Sequence, residues 1–159
     1  MKIPGPEDWA EQQDVDARNV HAFWFGKSLD DVQGFFKDSQ SIQRGDELLF
    51  MPRRAFQFYI FAFTQYVMSE AAVGDADAAS SFLKVLIARE KGDPGSVAQI
   101  YDQLEATLEF VAESQSRFNA DHDVHGDFRE KAAELAKLCG KEFEPPGPLD
   151  EMLDKTDDA

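Results

Sequence analysis

Apolar positions recur at three- and four-residue steps along most of this chain, the spacing of amphipathic helices, with no convincing strand pair and no internal repeat. The clearest case is Val97, Ile100, Tyr101, Leu104, Leu108, Val111 and Phe118, with Asp102, Glu105, Glu109 and Glu113 on the other side. It predicts a helix reaching about Phe118. Asp93-Pro94 reads as its start, a capping carboxylate followed by proline at the first helical position.

The most apolar stretch is Leu48–Met68, LLFMPRRAFQFYIFAFTQYVM, which holds Phe50, Phe56, Phe58, Tyr59, Phe61, Phe63 and Tyr66. A short apolar run such as FQFYIFAF also fits a buried strand, so length and flanks must arbitrate. Pro52 suits a first-turn position, since it lacks an N–H and pre-sets φ. The pattern runs on to Gly74, a natural C-terminal stop. That length exceeds an ordinary strand and predicts a helix over Arg53–Ala72. Being apolar nearly all round, it must sit inside the fold. A membrane span is the other candidate, and Arg53, Arg54, Gln57, Thr64 and Gln65 break the run too often for one.

The remaining elements wrap this centre. Val15, Ala17, Val20, Phe23 and Trp24 predict a first helix from Asp14 to Gly26, with Trp9 anchoring the arm before it. Ser28-Leu29-Asp30-Asp31 reads as an N-cap and acidic first turn of a short helix carrying Leu29, Val32, Phe35 and Phe36. Lys37–Glu47 is polar, contains Gly45-Asp46 and reads as a loop, with Leu48–Met51 as a bridge. Asp75 or Asp77 caps a helix burying Ala79, Phe82, Leu83, Leu86 and Ile87, ended by Gly92. Residues 119–127 read as a polar connection, and a last helix over Asp127–Cys139 offers Phe128, Ala132, Leu135, Leu138 and Cys139 to the core. Then Glu144-Pro145-Pro146-Gly147-Pro148 breaks regular structure. Beyond it Leu149, Met152 and Leu153 offer one docking turn. The expected architecture is all-α: one domain of five to six helices in residues 1–140, then a flexible, Pro-rich acidic tail over 141–159.

Composition sharpens this in two ways. The chain has 159 residues, enough for one domain with a real core, and its 14 phenylalanines make that core aromatic. Its single cysteine, Cys139, excludes an intrachain disulfide and a cysteine-based zinc site. No apolar signal segment follows Met1, so a cytoplasmic protein is expected.

The net charge of −15 is unevenly placed. Residues 53–92 carry five basic against four acidic groups, whereas 93–140 carry four against ten and 141–159 two against seven. Such a field repels nucleic acid. It favours a basic protein partner and speeds its docking. The simpler reading is that acidity only keeps the chain soluble. A monomer or a homodimer fits the composition equally well.

Candidate chemistry is sparse. Asp121-His122-Asp123-Val124-His125-Gly126-Asp127 gathers imidazoles and carboxylates that suit zinc, manganese or iron, with His122, His125, Asp121 and Asp123 as the ligand set. A solvated loop rich in capping residues explains the same cluster, and the calcium-loop pattern fails for want of alternating oxygen ligands closing on a glutamate. Cys139 is a candidate thiol nucleophile beside His122 or His125, or a small buried hydrophobe. His21, among Phe23, Trp24 and Phe25, reads as a packed ring. Arg53 and Arg54 sit at the positive end of a helix dipole and need neutralising. Asp46 or Glu47 would do so internally; a small anion pocket is the alternative. No phosphate loop, nucleophile elbow or zinc-protease helix occurs, and no cofactor is implied.

Phe25-Gly26-Lys27-Ser28-Leu29, then Glu47-Leu48-Leu49-Phe50-Met51, and Ala55-Phe56 with Tyr59 and Ala62-Phe63 form a recognisable series. It resembles an uncharacterised bacterial family of small helical proteins, with an F-G-K-S/T-L turn and a segment running into A-F-x-x-Y. The resemblance covers about residues 20–90 and rests on packing motifs. It implies an all-helical domain without an assigned reaction. Some similar small acidic proteins neutralise a toxin encoded beside them, which is analogy. The expected function is therefore a non-enzymatic protein-binding module of immunity or antitoxin type. Its contacts to a basic partner would be Glu105, Glu109, Glu113, Asp121 and Asp123.

Overall fold

Local capping fixes where most of the helices begin. The computed structural model describes residues 2–9 and 14–143, so the tail expected over 141–159 lies outside the described residues from Glu144 onward. In α1 (Val15–Trp24) the Asp14 carboxylate accepts the Ala17 N–H at 2.7 Å. In α2 (Leu29–Val32) Ser28 and Asp31 close a reciprocal capping box. A 3-10 turn over Gln33–Phe36 then carries Phe36 into the core. The helices α3 (Ser41–Leu49), α4 (Arg53–Val67), α5 (Ala76–Gly92), α6 (Tyr101–Glu113), α7 (His122–His125) and α8 (Phe128–Leu138) follow. All regular structure among the described residues is helical, and the fold is all-α.

The helix α4 is the hub. Ala55, Phe56, Phe58, Tyr59, Ile60, Ala62, Phe63, Tyr66 and Val67 are all buried along it, and it touches α2, α3, α5 and α6. Phe63 stacks on Phe36 with ring centres 4.3 Å apart and meets Phe82 edge-on at 5.4 Å. The Tyr59 hydroxyl reaches the carbonyls of Trp24 and Lys27 at 2.8 and 2.7 Å, tying α4 to the turn after α1. Trp9 is buried against His21 and Tyr59, anchoring the N-terminal arm as its sequence suggests. The helix stops at Val67, short of Ala72, and Glu70–Ala72 continues as a separate 3-10 turn. Among the described residues no helix is long and apolar enough to cross a membrane.

Besides the shorter α4, the connection expected over 119–127 contains α7, and Leu138, expected in the core, is exposed; three further expectations change. The segment read as a loop, Lys37–Glu47, contains most of α3. Its buried residues are Ser41, Gly45 and Leu48, while Ile42 and Leu49 face solvent, so the hydrophobic periodicity of the inward face is nearly blank. Small residues there let α3 lie close against α5, its most extensive neighbour.

The second change is at Asp93-Pro94, which does not open a helix. The Asp93 carboxylate is taken by Arg53 and by Arg89. The chain turns through Gly95, at φ +101°, before α6 starts. The buried Glu90 carboxylate accepts the N–H groups of Gly95, Val97 and Ala98 at 2.7, 2.9 and 3.1 Å, doing the capping work assigned to Asp93. Third, α6 ends at Glu113 instead of Phe118, and Asn119 turns the chain at φ +56°.

Candidate functional site

The turned-about amphipathicity of α3 creates the most distinctive surface of the molecule. Ile42 is 51% exposed, and Leu49 and Phe50 stand out beside it at 36% and 45%. On one side, a cavity of about 330 Å³ opens between α3, α5 and α7. Ile42, Leu49, Val85 and Ala88 give it apolar walls, and Asp46, Asp77, Lys84 and His125 give it charge. Ser80 and Ser81 also line it, and the buried Ser80 Oγ has no hydrogen-bond partner among the described residues. On the other side, toward α1, a more open cavity of about 610 Å³ is lined by Asp16, Asp46 and Glu47 together with Ile42 and Phe50.

Ser80, His125 and Asp77 share the smaller cavity, which invites comparison with a hydrolase. His125 Nε2 lies 3.4 Å from Asp77 Oδ1, but its buried Nδ1 has no partner among the described residues. Among the described residues no serine is hydrogen-bonded to the imidazole, so the pairing of nucleophile and base that a hydrolase needs is not formed by Ser80 and His125. The contact serves as a latch of α7 onto α5.

The acidic residues singled out in the sequence lie apart from this cavity. Glu105, Glu109 and Glu113 follow one another at four-residue steps on α6 and are all exposed. No ion pair involves any of them among the described residues; the ion pairs lie elsewhere. Arg44 pairs with Glu47, Arg53 and Arg89 with Asp93, Arg54 with Asp8, Lys91 with Glu134, Arg117 with Glu70, and Lys141 with Asp102. Asp121 is the N-cap of α7, accepting the Asp123 N–H at 2.7 Å, and Asp123 is exposed.

Arg53 is neutralised internally, but by Asp93 and not by Asp46 or Glu47. Its Nε is 3.1 Å from Asp93 Oδ2, and its Nη2 donates to both Asp93 Oδ1 and the Pro94 carbonyl. Those contacts, the Arg53 hydrogen bond foremost, hold the Asp93 carboxyl below its ordinary range. The distance in sequence, forty residues, hid this pairing. Glu47 accepts instead from Arg44 and from Trp24 Nε1. Arg54 points outward, with Asp8 at 3.6 Å as its partner.

The metal set does not assemble. His125 turns to Asp77, whereas His122 lies against a different hollow with Glu113 and Asp127. Among the described residues no three His, Cys, Asp or Glu side chains converge as metal ligands. The capping role of Asp121 and Asp127 explains the cluster. Burial pushes the Cys139 thiol up to about 11, which keeps it protonated and poorly nucleophilic near neutrality. His21 is a packed ring between Trp9 and Phe25. Comparison with protein-family models, curated proteins and solved structures finds no match for this chain.

Proposed function

We propose that this protein is a non-enzymatic binding module, of the immunity or antitoxin kind, that covers a basic protein partner with its acidic helical surface. The observation behind this reading is the row Glu105, Glu109 and Glu113, exposed to solvent and in no ion pair among the described residues. Exposed carboxylates speed the encounter with a basic surface, while the loss of their hydration offsets part of the attraction in the complex. Asp121 and Asp123 extend the same chemistry to the start of α7. The partner is steered in by the field of a chain carrying −15 and then held by occlusion of its own working surface.

The test is capture of partners from the source organism on immobilised protein, at low and at high salt. A basic partner released by added salt, and lost on Glu105→Gln/Glu109→Gln/Glu113→Gln, supports the reading. Capture indifferent to salt and to the triple substitution overturns it.

A further inference from the structure

The ridge on α3 is built the wrong way round for a solvated helix. Ser41 and Gly45 are buried while Ile42, Leu49 and Phe50 are left in water, each costing free energy that burial against a partner would recover. The two cavities lie on either side of that ridge and share Ile42 and Asp46. Their acidic groups are Asp16, Asp46, Glu47 and Asp77; the opposing ones are Lys84 and His125, and Glu47 is paired with Arg44, which lines neither cavity. Asp16, Asp46 and Lys84 have no ion-pair partner among the described residues, so the carboxylates rimming the apolar ridge outnumber its cations.

That combination selects the occupant. A second copy would bring another −15 to the same surface. The chain's own residues 144–159 hold Lys155 against six acidic groups, so they too would be repelled. We infer that α3 and its two flanking cavities dock a cationic amphipathic segment of a protein partner, one of whose arginine or lysine side chains enters the cavity between α3, α5 and α7. The inference rests on the partner being basic and adds where its apolar side is seated. The aliphatic stem lies along Ile42, Leu49 and Val85, and the charged head lies between Asp46 and Asp77.

The probes are fluorescent helix-forming peptides of leucine and arginine. One has an apolar face, one has the same composition scrambled, and one carries citrulline, uncharged but of the same shape, in place of arginine. Anisotropy titrations at low salt should show the amphipathic arginine peptide binding about tenfold or more tighter than both controls. Ile42→Ser/Leu49→Ser leaves the net charge unchanged and should weaken that binding about tenfold, with Asp46→Asn weakening it less. Phe50→Ser, just beyond the helix end, repeats the test if the double variant fails to fold.

Wild-type affinity in the ridge variants overturns the inference. If Glu105→Gln/Glu109→Gln/Glu113→Gln then abolishes binding, the basic-partner reading survives with its contact on α6 alone. If the wild type binds none of the peptides, the inference fails, and the capture experiment separately decides the broader reading.

Discussion

A Cβ placed on Gly45 would lie 2.7 Å from Ser81 Oγ, with Val85 Cγ2 at 3.1 Å and Phe63 Cε2 at 3.3 Å. The α3–α5 contact therefore depends on a missing side chain. In an open helix interior, Gly→Ala stabilises by up to about 1 kcal/mol. Here Gly45→Ala should instead destabilise by about 1–3 kcal/mol through overpacking. Urea unfolding decides the sign, and adding Ser81→Ala should return part of the loss, since the two residues are in contact.

Tyr59→Phe should cost about 1–2 kcal/mol, because it leaves the Trp24 and Lys27 carbonyls without their shared donor. The melting temperature should fall with the helical circular dichroism of the folded state unchanged. An unaltered melt would mean that water satisfies those carbonyls equally well.

Phe36→Ala removes a fully buried ring from its stack on Phe63, and a loss of about 3–5 kcal/mol is expected. Phe25→Ala, at a ring 39% exposed, should cost much less. Comparable losses at both positions would contradict the placement of the core.

Burial pushes the Tyr59 and Tyr101 phenols up to about 12, from an ordinary value near 10. A raised folded-state value favours folding fully below the unfolded one, and that contribution drains as pH climbs from about 10 toward 12. Spectrophotometric titration should show one tyrosine-ionisation phase above pH 10 coincident with unfolding. Free ionisation of all three tyrosines near 10 in folded protein would refute this.

Asp93 shows the opposite sign. Its carboxyl is depressed by Arg53 and Arg89, so its stabilisation is complete above the unfolded value near 3.8 and is lost as pH falls through the folded one. Asp93→Asn should lower the urea midpoint at pH 7, and the gap to wild type should close as the pH falls below about 4. A gap that persists in acid would show that the ion pairs do not matter.

The residues legible in sequence were those whose meaning is local. Asp14, Ser28 and Asp75 accept backbone N–H groups three residues on, so their roles can be read from four letters of sequence. The acidic row of α6 is likewise a matter of spacing alone, and its glutamates face solvent as their four-residue steps require. By contrast, Glu90 caps a segment that begins only after the chain has reversed, and Arg53 meets Asp93 across forty residues. No periodicity marks such pairs, and Asp93-Pro94 offered a local explanation that the fold did not use.

By itself, the order of apolar and polar residues determined an all-helical chain with a helix beginning at Arg53 at its centre, because a rod of rings that is apolar nearly all round has only one place to go. Tertiary structure alone decided that Ser41–Leu49 is a helix, that its small face turns inward and that Ile42 and Leu49 are left outside beside a cavity. The reason is physical. Hydrophobicity reports what a residue gains by leaving water, whereas Gly45 is chosen for the distance at which it lets Ser81 approach, a quantity that exists only once both helices are in place.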